Sequence, residues 1–172
     1  MKGSWQKIVH GSVSNMKDYK HIVARFVEEL WNERNLEVAD TIFDEDCRTH
    51  QLRSGPPAVA APRGPAAIKA HVADWLSGFP DLKVTVEQTF ADGDRVISQL
   101  AMDGTQTGQW MGIPPTGKRV NIRMITIHRI RSGKIIEDWV LVESLGLFQQ
   151  FGALPPTRDF LSEFAQRQKA AP

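Results

Sequence analysis

The first third of the chain repeats its apolar residues with the period of an amphipathic helix. From Met16 onward they recur three and four positions apart, on one helical face: Ile22, Val23, Phe26, Val27, Leu30 and Trp31. Ser14 or Asn15 is available as the N-cap of this helix. A shorter apolar pattern over 36–43 predicts a second helix that Asn35 caps, and residues 46–52 are typical of a brief strand.

A proline-rich segment then interrupts the periodic pattern. Residues 54–65 contain Pro56, Pro57, Pro62 and Pro65 together with two glycines. Such a composition cannot sustain a helix or a central strand, so we expect a loop, placed as a lid over a cleft. Pro65 suits the first position of a third helix, whose shared face carries Ile68, Val72, Trp75, Leu76 and Phe79.

The second half of the chain is typical of an antiparallel sheet. Runs rich in β-branched residues cover 82–91, Arg95–Thr105, Arg119–Arg131 and 134–143. Asp92-Gly93 and Ser132-Gly133 are two-residue hairpin signals between them, and residues 112–117 predict a rigid loop. Two further helices are expected at 144–151 and 157–168. Helices followed by a meander predict an α+β fold with helices packed on one face of a curved sheet.

Composition narrows the class of protein. The 172 residues are 41% hydrophobic with a net charge of +1, which predicts one globular domain over 16–169 behind an irregular arm at 1–15. Scattered Lys and Arg give no support for nucleic-acid binding. The single cysteine, Cys47, excludes an internal disulfide, and the absence of a long apolar segment predicts no membrane span. We expect a cytoplasmic protein.

The register of the last hairpin decides which side chains share a face. If Ser132-Gly133 is the turn, His128 lies opposite Glu137, Thr126 opposite Trp139, Met124 opposite Leu141, and Ile122 opposite Glu143. A carboxylate among large apolar neighbours is a candidate acid or base. The sequence does not decide which face is inside, and a slip of one residue would change every pairing.

Several motifs, in order, resemble those of the SnoaL-like polyketide (ester) cyclases. They are Phe79-Pro-Asp-Leu82, Ala91-Asp-Gly-Asp-Arg-Val96, Thr105-Gln-Thr-Gly108, Gly112-Ile-Pro-Pro-Thr-Gly117, Gly133-Lys-Ile-Ile-Glu-Asp-Trp139 and Leu145-Gly-Leu-Phe-Gln-Gln-Phe-Gly152. The resemblance runs from about residue 17 to 154. It implies a cone-shaped barrel of the nuclear transport factor 2-like (cystatin-like) kind, in which a strongly bent, mainly antiparallel sheet and N-terminal helices enclose an apolar pocket. It also implies a homodimer or a higher homo-oligomer.

The resemblance further implies general acid/base chemistry without a cofactor. Cyclases of this family close a ring by an intramolecular aldol reaction on a polyketide methyl ester, using a carboxylate four residues after the motif tryptophan. That position is Glu143 here, where the family pattern has Asp. His128 lies about where an assisting histidine falls. The predicted catalytic residues are therefore Glu143 and His128, acting on a small hydrophobic molecule.

The remaining candidates line the expected pocket or have structural roles. The predicted substrate-binding residues are His50, Trp110, Met124, Thr126, Trp139 and Leu141. Glu137 and Asp138 are better explained as surface or salt-bridged acids. Cys47 and His50 make a poor metal site because no second pair of ligands accompanies them. Two alternatives stay open: another reaction on the same scaffold, such as hydroxylation, dehydration or isomerisation, and a binding module without catalysis.

Overall fold

The computed structural model describes residues 13–51, 61–62 and 64–170, with side chains described over 19–50 and 64–169. Most of the predicted N-terminal arm and of the proline-rich loop lies outside these ranges. The helices are α1 (Val13–Arg25), a π-helical continuation (Phe26–Asn32), α2 (Val38–Ile42), α3 (Pro65–Gly78), α4 (Ser144–Phe151) and α5 (Thr157–Ala170). Because α1 already begins at Val13, neither Ser14 nor Asn15 is its N-cap.

Six strands form one curved sheet in the order β2-β1-β6-β5-β4-β3. Their bounds are β1 (Phe43–Gln51), β2 (Ala61–Pro62), β3 (Lys83–Asp92), β4 (Arg95–Thr105), β5 (Arg119–Arg131) and β6 (Lys134–Val142). All neighbouring pairs are antiparallel except β1 and β6, which are parallel. The predicted α+β class is confirmed, although the sheet is open rather than a closed barrel in the described part of the chain.

One of the two predicted hairpin turns lies where the sequence placed it, and the other is displaced by one residue. Ser132-Gly133 is the turn between β5 and β6, with φ of 51° and 78° at its two residues, and Arg131 pairs with Lys134. Between β3 and β4, however, Asp92 pairs with Arg95. The turn residues there are Gly93 and Asp94, one position later than the Asp92-Gly93 signal suggested.

A β-bulge changes the register of the last hairpin. Ile130 pairs with Ile135, but the next pair is Arg129 with Glu137, so Ile136 is an extra residue in β6. Every pair beyond the bulge is shifted by one, and His128 lies opposite Asp138 instead of Glu137. The predicted register was therefore wrong beyond Ile136. Because side chains alternate along a strand, the extra residue also exchanges the two faces of β6.

The core lies between the helices and the inner face of the sheet, which we define as the face toward α1 and α3. Apolar residues of both layers are buried there, including Val27 and Leu30 from the π-helical segment and Leu100 and Ile122 from the sheet. By contrast α5 is exposed along its length, with Phe160, Leu161 and Phe164 more than half exposed. Within the described ranges, no helix is long and apolar enough to cross a membrane.

Candidate functional site

A cavity of about 430 Å³ opens between the helices and the inner face of the sheet. Helices and loops contribute aromatic walls, and the sheet contributes aliphatic, thioether and hydroxyl groups. The helix and loop residues include Phe26, Trp31, His71, Trp75, Trp110 and Phe148, and the sheet residues include Thr49, Met102, Met124, Thr126, Asp138, Val140 and Val142. Volume and lining are typical of a site for a small apolar molecule.

Tryptophan rings form one wall of the cavity. The ring centroids of Trp75 and Trp110 are 4.5 Å apart, and those of Trp110 and Phe79 are 5.6 Å apart. Gly78, the last residue of α3, permits this approach, because a Cβ at that position would lie 2.6 Å from the Cβ of Trp110. The end of α3 and the loop after β4 are thus packed into one rigid wall.

Asp138 is the carboxylate of this site. It lies on the inner face of β6, is 5% exposed, and borders the cavity. Its neighbours on the two adjacent strands are Thr49 of β1 and His128 of β5. Side chains directly opposite one another in neighbouring strands are about 5 Å apart, so three polar groups form a row across the sheet. Among the described lining residues, Asp138 is the only acid.

His128 is fully buried beside Asp138. Its ring lies 5.0 Å from the ring of Phe26, edge to face. Burial lowers the pKa of His128 from 6.5 to about 4, because a charged imidazolium would lose its hydration. Neither ring nitrogen has a hydrogen-bond partner among the residues that the structure describes. The predicted histidine is therefore neutral near pH 7 and lies behind the cavity wall, next to the carboxylate.

Three of the predicted substrate-binding residues line the cavity. Trp110, Met124 and Thr126 are each buried and border it. The placement of Met124 and Thr126 follows from the period of two along β5, where Met124, Thr126 and His128 all point to the inner face. Contact of these three residues with a substrate stays a prediction.

Glu143 lies elsewhere than expected. It is exposed, it follows the last residue of β6, and it occupies the N-cap position of α4. Its Oε2 accepts a hydrogen bond from the backbone N–H of Arg123 at 3.3 Å. The expectation that this side chain points into an enclosed pocket is wrong. The bulge at Ile136 explains it, since residues 138, 140 and 142 now face inward.

His50, Trp139 and Leu141 lie on the opposite, outer face of the sheet. Leu141 is 46% exposed. The rings of His50 and Trp139 are stacked at 4.9 Å, and His50 Nε2 donates to Glu137 Oε1 at 2.8 Å. The prediction that these three residues face the pocket is therefore wrong. For Trp139 and Leu141 the cause is the same bulge in β6. For His50 the cause is alternation along β1, which turns Thr49 inward.

Sequence reasoning missed several residues of the site. Asp138, which the sequence favours as a surface or salt-bridged acid, borders the cavity, and so do Trp31 and Trp75, which the helical patterns place only on apolar helix faces. The alternation along β5 groups Met124, Thr126 and His128 on one face but does not decide which face is inside. No sequence feature showed the bulge that brings Asp138 onto that face.

The possible Cys47 and His50 metal pair does not form. Cys47 is fully buried, whereas His50 is turned to the outer face. No group of three or more His, Cys, Asp or Glu residues suited to a metal occurs within the described ranges. The pKa of the Cys47 thiol is raised to about 12, mainly because the thiol is buried and to a smaller extent because of the charge of Asp138.

The fold defines the class as nuclear transport factor 2-like α+β. A sequence model described as SnoaL-like polyketide cyclase matches residues 21–151. The chain belongs to the SnoaL-like polyketide cyclase family.

Two relatives carry enzyme names. The aklanonic acid methyl ester cyclase DauD of Streptomyces sp. (strain C5) is 31% identical over 140 residues, which cover 79% of this chain and 83% of DauD. The aklanonic acid methyl ester cyclase DnrD of Streptomyces peucetius is 32% identical over 140 residues, covering 79% of this chain and 92% of DnrD.

Solved structures agree with the fold. TsrD from Streptomyces laurentii superimposes with a TM-score of 0.70 at 27% identity, over 80% of this chain and 97% of TsrD. AclR from Streptomyces galilaeus superimposes with a TM-score of 0.71 at 24% identity, over 90% of this chain and 94% of AclR.

Proposed function

We propose that this protein is a cofactor-independent cyclase in which Asp138 transfers a proton inside the apolar cavity. The observation that carries the proposal is the position of Asp138 as the only acid among the described residues of the cavity wall. A positioned carboxylate acting as general base or acid contributes on the order of 10² to 10⁴ in rate.

The reaction that suits this arrangement is an intramolecular aldol ring closure. The Asp138 carboxylate takes a proton from a carbon activated by neighbouring carbonyl groups, which leaves an enolate. The enolate carbon attacks a ketone carbon of the same molecule and forms the new C–C bond. The protonated Asp138 then returns its proton to the alkoxide oxygen, so that atoms and charge balance.

His128 positions Asp138 by packing beside it in this proposal. It lies opposite Asp138 in the sheet and does not border the cavity, so it is a positioning residue rather than a catalytic one. Because its pKa is lowered to about 4, it is neutral near pH 7. The Thr49 and Thr126 hydroxyl groups flank the same part of the cavity and supply donors to oxygen atoms of a substrate.

The substrate class that fits best is a polycyclic polyketide methyl ester. Support comes from the aromatic lining of a cavity of about 430 Å³ and from the two relatives, which are named for aklanonic acid methyl ester. Tryptophan rings bind flat apolar surfaces well, because such rings bury large areas in offset or edge contacts. Aklanonic acid methyl ester is therefore the substrate that tests the proposal.

Turnover of this ester by two carboxylate variants tests the proposal. We expect Asp138→Asn to lower kcat at least about a hundredfold, because the amide cannot accept the proton. The matched Glu143→Gln variant, which changes an exposed acid five residues later, keeps kcat within about threefold. A titration of the ester against inactive Asp138→Asn separates lost chemistry from lost binding.

Loss of turnover in Glu143→Gln, with near wild-type turnover in Asp138→Asn, would overturn the proposal and support Glu143 as the acid/base residue instead. A wild-type protein that binds the ester without converting it would indicate a binding protein.

The homo-oligomer and the cytoplasmic location stay predictions. Light scattering coupled to size-exclusion chromatography checks the first, and fractionation of source cells checks the second.

A further inference from the structure

The rim of the cavity contains a tight turn with an unusual residue. Trp110 N donates to Ile113 O at 3.0 Å, and Ile113 N donates to Trp110 O at 2.8 Å. The two residues between them, Met111 and Gly112, have φ of 49° and 78°. Reciprocal hydrogen bonds around two residues with positive φ define a type I′ hairpin turn.

Met111 is unfavourable for that turn. The first central position of a type I′ turn is dominated by Asn, Asp and Gly, because other side chains crowd the backbone at positive φ. The equivalent position in the turn between β5 and β6 carries Ser132, a small residue, at φ 51°. The conformation of the turn therefore does not explain a methionine at position 111.

Packing within the protein does not explain it either. Met111 is 68% exposed, although it borders the cavity. A methionine with so much free surface adds little to the core. Its unbranched thioether chain adapts to irregular apolar shapes, which suits contact with a bound molecule.

The turn that carries Met111 is fixed in place. Gln106 is fully buried, and its Nε2 donates to Gly108 O at 3.1 Å, Ile113 O at 3.3 Å and Pro114 O at 3.1 Å. Gly108 N in turn donates to Gly78 O at 3.0 Å. The rim is therefore tied both to its own loop and to the end of α3.

We infer that Met111 is a specificity-determining residue that covers the outer part of a flat apolar ligand in the cavity. The inference rests on the proposed function only in that the ligand occupies this cavity. It predicts opposite effects of one substitution on folding and on binding. A residue that suits the turn stabilises the fold, whereas loss of the apolar side chain weakens binding of the ligand.

Two variants separate these effects. Met111→Asn suits the turn and is polar, whereas Met111→Leu keeps an apolar side chain and the unfavourable φ. We expect Met111→Asn to raise the urea midpoint of unfolding and to weaken binding of 9-fluorenone, a flat aromatic ketone, about fivefold. Met111→Leu should stay within about twofold of wild type in affinity and should not raise the midpoint.

Methyl NMR of protein labelled with [¹³C-methyl]methionine measures the binding. Met102 and Met124 lie on the inner wall and report entry of 9-fluorenone, and Met111 reports contact at the rim. All three methyl signals should shift during the titration.

Shifts at Met102 and Met124 with none at Met111, wild-type affinity of Met111→Asn, or a lowered urea midpoint of that variant would each overturn the inference. The proposed acid/base role of Asp138 would survive these results. Absence of any shift at the three methyl groups would also overturn it, and would count against use of the cavity for flat aromatic ketones as well.

Discussion

His128 and Asp138 lie directly opposite each other on β5 and β6, and both side chains face the helices. This pair exists because Ile136 is an extra residue in β6. Without it, His128 would face Glu137, and Asp138 would belong to the outer face. A single bulge near the hairpin turn therefore selects which acid borders the cavity, in keeping with the frequent position of bulges beside functional sites.

The buried His128 should make the free energy of unfolding depend on pH. Its pKa is about 4 in the folded protein and about 6.5 when unfolded, so the unfolded chain binds more protons between these values. Stability from this group is complete above pH 6.5 and is lost as the pH falls toward 4. The pKa difference corresponds to roughly 3 kcal/mol. Urea unfolding of wild type and His128→Gln at pH 4.5 to 7.5 measures it.

A control identifies the source of this slope. His21 is exposed on α1, so His21→Gln removes a histidine without changing the core. We expect this variant to keep the wild-type pH dependence, whereas His128→Gln flattens it. Equal slopes for wild type and His128→Gln would show that the histidine is hydrated and would contradict its burial.

The observed register predicts different costs for two apolar residues. Met124 on the inner face is 6% exposed, whereas Leu141 on the outer face is 46% exposed. Met124→Ala should lower the free energy of unfolding by about 2–5 kcal/mol, and Leu141→Ala by less than about 1 kcal/mol. Urea denaturation checks both. Under the register without the bulge the two residues oppose each other on one face, so similar costs would refute the observed pairing.

Most of the fold could be predicted because it depends on local signals. The bounds of β4 and β5 match the β-branched runs at Arg95–Thr105 and Arg119–Arg131, and the turn at Ser132-Gly133 is where the sequence placed it. The candidate site could not be predicted to the same degree. It depends on which face of β6 is inside, and one added residue reverses that without a compositional signal.

Cys47 should resist thiol reagents in the folded protein. It is fully buried, and its pKa is raised from 9.0 to about 12, which lowers the thiolate fraction about a thousandfold at pH 8. We expect native protein to react with 5,5′-dithiobis(2-nitrobenzoate) at least about a hundredfold more slowly than protein in 8 M urea. Because Cys47 is the single cysteine, the absorbance reports it alone. Rapid labelling of native protein would place the thiol at the surface.

Gln106 should be worth far more to stability than its residue type suggests. Its Oε1 accepts hydrogen bonds from Thr116 N at 2.9 Å and Thr116 Oγ1 at 2.6 Å, and its Nε2 donates to three loop carbonyls. Gln106→Leu leaves these groups without their buried partner, at a cost of about 3–5 kcal/mol in the free energy of unfolding.

The neighbouring Gln109 provides the comparison, because it is exposed and belongs to the same loop. Gln109→Leu should change the free energy of unfolding by less than about 0.5 kcal/mol. Urea denaturation measures both variants, and equal costs would contradict the network. We also expect Gln106→Leu to bind 9-fluorenone more weakly than wild type does, when binding is measured under conditions in which the variant is folded. The network fixes the turn that carries Met111, so its removal lets that side chain move away from the cavity.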